Sequence, residues 1–364
     1  MILTAKQEQG VKLVTDLYRQ NKKIITISGY AGTGKSTIVR HIVEQLHLEE
    51  NVAYVTFTGK ASLVLRNKGL PATTIHKLIY NCFVDRFGKL IVTKKQQLPD
   101  HIHLIIIDEI SMVSKKLLED LMSFNIPIIA LGDHGQLEPI GEDNGLLKAP
   151  DFVLTDIIRQ AEDNPIIRLS KLVREGRFER MDNSNVKVLS PKDFDYSMVQ
   201  WADQTLCGFN TTRNTINQNV RKIFYKTDEQ LPVVGEKLIS LKNKWDICDS
   251  EDNPLINGTI CNIARIDKNI YNGTIFIATL VDSVNGSVFS ELQIDTNTFK
   301  NRPIPLKNNL PVFDYGYCIT VHKSQGSEWD KILLFDECLN RETYNRWLYT
   351  GITRAKDKIV IIKH

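Results

Sequence analysis

Gly29-Tyr30-Ala31-Gly32-Thr33-Gly34-Lys35-Ser36-Thr37 decides the fold. An apolar run, Ile24-Ile25-Thr26-Ile27, precedes it and reads as a buried parallel strand. Ile38 to Leu46 follows, with apolar residues returning at helical spacing. Strand, glycine loop and helix, in that order, is the setting of a nucleoside triphosphate site. The glycines let the backbone turn tightly and approach a ligand. The free N–H groups at the helix start, reinforced by its dipole, favour phosphate. Lys35 can reach the β- and γ-phosphates, and the Ser36 hydroxyl can hold Mg²⁺. The expected nucleotide-binding set here is Gly29, Ala31, Gly32, Thr33, Gly34, Lys35, Ser36 and Thr37.

Outward from this loop, 364 residues suffice for two to three domains with a sizeable core. The net charge of +3 means that nucleic-acid contact must come from local patches. The six cysteines form no CxxC pair, which argues against a zinc site and a disulfide framework. No signal peptide or membrane-spanning run is present, so a cytoplasmic protein with no membrane association is expected.

Upstream, Leu3 to Leu17 reads as an amphipathic helix with Thr4 as its cap. Gln7, one turn in, carries an amide suited to the edge of adenine, although a surface glutamine is more often only solvated. Downstream, Asn51 to Phe57 is a second strand, ending in a polar loop Thr58-Gly59-Lys60-Ala61-Ser62 where ligands of such sheets bind. In Thr73 to Leu78, His76 and Lys77 suit a phosphodiester backbone, and a helix start capped by Thr74 fits the same residues. Phe83 to Val92 reads as a hairpin about a glycine turn, with Phe83 and Phe87 packed inward or, with Phe57, stacking on bases.

Leu104 to Ile107 is a continuous apolar run ending in Asp108-Glu109. Asp108 can bind Mg²⁺ and Glu109 can orient an attacking water. A further apolar strand, Pro127 to Leu131, leads to a polar loop in which Gln136 can sense a γ-phosphate. A second part begins near Leu154 with Arg159, an arginine placed to reach a γ-phosphate from another domain. Arg168, Lys171, Arg174, Arg177 and Arg180 mark a basic amphipathic helix, either a solvated face or a phosphate contact. Thr205 to Phe209 reads as a strand, Asn210 to Asn214 as a polar loop, and the next stretch as a helix carrying Arg221 and Lys222. From Leu231, Asn-Gly turns separate short β-branched runs, the pattern of a small inserted β-barrel. After Pro311 the α/β pattern resumes. Thr320, His322 and Lys323 form a polar cluster suited to backbone phosphates, and the Gly326-Ser327-Glu328 loop can face nucleotide. Arg354 precedes the last strand, where it also complements a helix C-terminus.

The ordered set of motifs resembles superfamily 1 helicases of the RecD/Dda-like branch. The residues that carry it are LTAKQ at Leu3, GYAGTGKST at Gly29, TFTGKAS at Thr56, TTIHKL at Thr73, IIIDEIS at Ile105, GDHGQLEPI at Gly132, RQ at Arg159, ITVHKSQGSEWD at Ile319 and LYTGITRAKDK at Leu348. The resemblance spans nearly the whole chain. It implies an α/β fold with two RecA-like P-loop NTPase domains. The first would occupy 1–150, with a pin hairpin at 80–98. The second would occupy 151–228 and 312–364, with an SH3-like β-barrel inserted at 229–311. It further implies ATP and Mg²⁺, with Ser36 and Asp108 on the metal and Lys35, Glu109, Gln136, Arg159 and Arg354 as catalytic groups. Gln7, Gly326 and Glu328 would join the nucleotide set. Thr58, Gly59, Lys60, His76, Thr320, His322 and Lys323, with Phe83 and Phe87 from the pin, would face DNA. The implied activity is 5′ to 3′ movement on single-stranded DNA with unwinding of duplex, in replication, recombination or repair. The partners would be single-stranded and forked DNA and a single-strand-binding or replisome protein, with the chain a monomer. The short chain and small pin bring it nearer the compact, phage-type members. They also leave room for a nucleoprotein-remodelling or recruitment module, and the motor motifs alone admit an RNA track. No nuclease motif is present, so strand cleavage is not expected.

Overall fold

The computed structural model describes residues 3–84, 90–138, 144–156, 163–250, 254–271, 274–283, 286–300, 302–303, 309–338 and 340–363. Arg159 and Phe87 lie outside the described residues, and Phe83 is described as backbone only.

The first unit starts with helix α1 (Ala5–Arg19), fixed by a capping box: Thr4 N donates to Gln7 Oε1 and Gln7 N to Thr4 Oγ1. Its elements then run β1 (Ile24–Gly29), α2 (Lys35–Leu46), β2 (Val52–Thr56), α3 (Gly59–Asn67), β3 (Ala72–Thr74), α4 (Ile75–Ile79), β4 (Tyr80–Val84), β5 (Leu90–Lys94), β6 (Leu104–Asp108), α5 (Lys115–Met122), β7 (Ile128–Gly132) and β8 (Phe152–Leu154). Six of these strands form a parallel sheet in the order β3-β2-β6-β7-β1-β8. Its central strands are apolar throughout because helices cover both faces. The register pairs Ser28 with Gly132 and Thr56 with Asp108, so the glycine loop, the acidic pair and the 133–138 loop leave the same carboxyl edge. β4 and β5 are the expected hairpin, paired from Tyr80↔Lys94 to Val84↔Leu90. Its base is tied down where Tyr80 Oη donates to Asp120 Oδ2 at 2.6 Å on α5.

The second unit contains α6 (Pro165–Arg174), β9 (Val186–Leu189), α7 (Ser197–Trp201), β10 (Gln204–Cys207) and α8 (Asn210–Val220). Next come β11 (Lys237–Ser240), β12 (Lys244–Cys248), β13 (Pro254–Leu255), β14 (Ile260–Tyr271), β15 (Ile275–Asp282), β16 (Val288–Asp295), β17 (Phe313–Tyr315), β18 (Cys318–Thr320), β19 (Trp329–Phe335), α9 (Tyr344–Ile352) and β20 (Ala355–Ile362). A second parallel sheet has the order β18-β10-β19-β20-β9. The β-rich stretch makes an antiparallel sheet, β16-β15-β14-β11-β17. Its two edges meet at one bridge, Asp295 to Val312, and Asp295 N donates to Pro311 O at 3.1 Å. It shares one apolar core with the second parallel sheet: Val199, Val220 and Leu333 pack with Leu238, Phe276 and Phe313.

Several boundaries differ from expectation. β8 carries the first sheet to Leu154, past 150, and β17 pairs with β11 in the antiparallel sheet although it follows 312. The basic helix stops at Arg174, before Arg177 and Arg180. Gly176, at φ +76°, takes the left-handed conformation, and Gly176 N and Arg177 N bond back to Val173 O and Leu172 O. Asn210 to Asn214 is the first turn of α8 rather than a loop; its helix buries only Ile216, Asn217 and Val220, so its apolar signal is weak. Gly59 to Ser62 likewise starts α3, capped by the Thr58 hydroxyl at 3.2 Å from Ala61 N.

Arg221, just after α8, is buried with Glu236. Its Nε lies 2.6 Å from Glu236 Oε1, its other nitrogens donate to the carbonyls of Glu229 and Leu231, and Glu236 Oε2 accepts from Val233 N. Removing one partner of such a pair strands the other charge. Arg221→Ala is therefore expected to destabilise the chain by about 3–5 kcal/mol, read as a lowered urea midpoint. A midpoint equal to that of the parent chain would contradict it.

Candidate active site and nucleic-acid cleft

The two parallel sheets face each other across a cavity of about 890 Å³. From the first unit it is lined by Ala31, Gly32, Gly34, Lys35, Ser36 and Thr37 of the glycine loop, by Asp108 and Glu109, and by Gln136. From the second unit Glu328 and Arg354 reach it. The fold thus gathers most of the expected nucleotide and catalytic residues into one place. Gly29, Thr33 and Gln7 do not line the cavity: Gln7 is buried, and its Nε2 donates to Thr33 O at 3.1 Å. With Oε1 already accepting from Thr4 N, Gln7 braces the glycine loop from α1.

Lys35 Nζ donates to Gly29 O at 2.7 Å and Tyr30 O at 3.1 Å. The ammonium is thus parked on the loop that would hold phosphate. Asp108 Oδ1 accepts from Glu109 N at 3.0 Å. Burial raises both carboxyls, that of Glu109 to about 7; Arg354 opposes the shift at Glu109, and Lys35 opposes it at Asp108. Glu109 takes a left-handed backbone at φ +56°, and its Oε2 is buried without a hydrogen-bond partner. A buried, orphaned carboxylate oxygen facing a phosphate cavity suits a proton acceptor for water. Arg354 is buried and held on its own unit, with Nε on Thr350 O at 3.1 Å and Nη1 on Ser327 O at 3.2 Å. The Ser36 hydroxyl and the Asp108 carboxylate line the same cavity. Mg²⁺ takes one or two protein oxygens with phosphates and waters, so this donor pair fits it.

A second cleft, of about 310 Å³, lies between the units. Thr58, Gly59, Lys60 and His76 line it from one side, His322 and Lys323 from the other, and Asn257, in the turn before β14, closes it. Six of the seven expected backbone-facing residues outside the hairpin therefore meet. Thr320 does not line it; its hydroxyl caps the following 3₁₀ turn. Lys60 is buried with its Nζ unbonded, 4.1 Å from the centre of the Trp329 ring, and burial lowers its ammonium to about 8. Phe57 meets His76 edge-on in this cleft.

The clefts are neighbours. Gly326, at φ +74°, separates them: a Cβ there would lie 3.0 Å from Thr58 Oγ1 and 3.3 Å from Glu109 Oε2. Gln325 lines the second cleft, and its Nε2 donates to Leu137 O at 2.9 Å, next to Gln136. Sequence reasoning passed over this unit-to-unit contact. Thr350 Oγ1 accepts from Leu137 N, Arg346 pairs with Glu138, and Arg174 stacks on the Tyr30 ring at 3.2 Å. No single residue advertises it; only the packing of the two sheets does.

Comparison with known proteins agrees with this geometry. The AAA domain family matches residues 3–190, just over half the chain, and the UvrD-like helicase C-terminal domain matches 315–362. The chain belongs to the AAA domain family, and its similarity is to RecD/Dda-like superfamily 1 helicases. It is 28% identical over 356 residues to the ATP-dependent RecD2 DNA helicase of Deinococcus radiodurans, covering 92% of this chain and 46% of that protein. It is 27% identical over 267 residues to the ATP-dependent DNA helicase dda of Enterobacteria phage T4, covering 65% of this chain and 60% of that one. The chain thus spans about half to three fifths of these relatives. The fold is that of a Bacteroides Pif1 bound to ssDNA, with a TM-score of 0.56 at 19% identity over 100% of this chain and 92% of that one. Among the described residues no helix is long and apolar enough to cross a membrane.

Glu109→Gln keeps the size of the side chain and removes its basicity. ATP turnover is expected to fall by roughly 10²–10⁴-fold while binding of a fluorescent ATP analogue persists. Steady-state hydrolysis and equilibrium titration read the two separately, and turnover within a few-fold of the parent would exclude Glu109 as the base.

Proposed function

We propose that the chain is an ATP-dependent DNA helicase that moves 5′ to 3′ on single-stranded DNA and opens duplex ahead of it. The adjoining clefts are the observation that carries this reading: one stretch, Gln325 to Glu328, borders both the phosphate cavity and the basic cleft. A site that only bound nucleotide would have no use for that adjacency. In this reading the parallel sheets are RecA-like domains, the β4–β5 hairpin is the strand-separating pin, and the antiparallel sheet is an SH3-like insertion. The relatives' names supply DNA as the track and ATP as the fuel. The chain would act as a monomer on single-stranded and forked DNA, with a single-strand-binding or replisome protein as partner, in the cytoplasm.

Each residue then has a task. The α2 N-terminus cradles phosphate, and Lys35 leaves the Gly29 and Tyr30 carbonyls for the γ-phosphate. Ser36 and Asp108 would hold Mg²⁺, which offsets phosphate charge when bound. Glu109 orients the attacking water and takes its proton, and Gln136 contacts the γ-phosphate from the 133–138 loop. Arg354, and Arg159 with it, contributes positive charge from the second domain as charge develops on the transferred group. Domain closure on ATP narrows the basic cleft through Gln325 and Gly326, and release after hydrolysis widens it. Thr58, Lys60, His76, His322 and Lys323 hold the strand backbone through these changes.

Two duplexes that differ only in carrying a 5′ or a 3′ single-stranded tail test the motor. ATP should open the 5′-tailed one alone; opening of the 3′-tailed one alone would refute the polarity, and opening of neither would refute the unwinding. Lys60 adds a pH dependence. Its ammonium is charged below about 8 and neutral above. Affinity for single-stranded DNA should therefore weaken as pH rises from 7 to 9, and Lys60→Arg, charged throughout, should flatten that profile. Fluorescence anisotropy at fixed salt measures both.

A further inference from the structure

Tyr349 projects from α9 of the second unit into the glycine loop of the first. Its hydroxyl accepts from Ala31 N at 2.9 Å and donates to Asp133 Oδ2 at 2.6 Å. The side chain is 1% exposed. Burial keeps the phenol protonated, so these roles are fixed. Asp133 is committed elsewhere too, its Oδ1 accepting from Gly135 N at 2.9 Å at the start of the loop that carries Gln136. One hydroxyl thus links three parts of the nucleotide site across the domain boundary. The Ala31 N–H belongs to the loop whose N–H groups serve phosphate, yet here it is satisfied by a side chain of the opposite domain.

We propose that Tyr349 is a positioning residue that couples phosphate occupancy to domain contact, with the Ala31 N–H passing from the Tyr349 hydroxyl to an incoming phosphate. This rests on the ATP-site reading above. The hydroxyl and phosphate compete for that donor. With phosphate present, the hydroxyl keeps Asp133 and is released from the glycine loop. The second domain then senses the change through α9, whose Thr350 also holds Leu137 N at 3.0 Å.

Tyr349→Phe removes the competitor and keeps the ring. It should tighten binding of a fluorescent, non-hydrolysable ATP analogue with Mg²⁺ by about threefold, because Ala31 N–H no longer has a partner to leave. It should lower kcat about tenfold, because Asp133 loses its hydrogen bond from the second domain. Loss of packing would move binding the other way. Backbone amide exchange over residues 28–38 should be faster in nucleotide-free Tyr349→Phe than in the parent, and equal when both are saturated. Asp133→Asn, which keeps the tyrosine, should lower kcat in the same direction. Unchanged or weaker analogue binding by Tyr349→Phe beside a parent chain that binds and hydrolyses ATP would overturn this proposal alone. Failure of the parent to bind the analogue would overturn the ATP-site reading with it.

Discussion

The backbone of Leu137 is satisfied on both sides by the second unit: its N–H by Thr350 and its carbonyl by Gln325. A buried amide and carbonyl left unpaired would each cost about 1–3 kcal/mol, so the 133–138 loop is committed to this interface. Gln136 sits between two gripped positions, Asp133 and Leu137, and its placement depends on how the units meet. The parallel order of both sheets makes this possible. Parallel strands end together, so each sheet presents its loops on one edge, and two such edges face each other with polar groups on both sides.

That arrangement also places uncompensated polarity at the two clefts. Glu109 Oε2 and Lys60 Nζ are buried without hydrogen bonds, one beside the phosphate cavity and the other in the basic cleft. Burial pulls each toward its neutral form, to about 7 and about 8. A fold optimised only for stability would pair them or replace them with apolar groups. In the proposed motor each would find its partner in a ligand: a water for the Glu109 oxygen, an anionic backbone for the Lys60 ammonium. Poised acid–base groups of this kind gather at working sites.

Much of this was legible in the chain because strong local patterns agree with the tertiary result. Leu104 to Ile107 is uniformly apolar because both faces of its strand are covered, and the glycine loop follows β1 as its spacing demands. Capping was readable too, as Thr4 and Thr74 both cap the helices expected of them. Failures came where the local signal is weak or opposed. The first turn of α8, Asn210 to Asn214, is too polar to show as helix, and Lys244 to Cys248 is too polar to read as a strand although it pairs with β13. The sequence placed Lys35, Asp108 and Glu109 in one site through motif spacing. It gave no sign that Tyr349, Gln325 and Arg174 would bind the units together, because those contacts exist only once both sheets have formed and packed.

The position of Gly326 draws these threads together. Its missing side chain leaves Thr58 and Glu109 on either side of a single backbone, one in the strand cleft and one in the phosphate cavity. A substituent there would meet both, and the left-handed φ of +74° disfavours any other residue. The same peptide segment holds Gln325 on the Leu137 carbonyl and Ser327 on the Arg354 guanidinium. A shift of this segment therefore moves Arg354, the Gln136 loop and the wall of the basic cleft together. In the proposed motor, coupling between nucleotide and strand needs no long relay. It needs only that one short, tightly packed segment have different rest positions with and without phosphate.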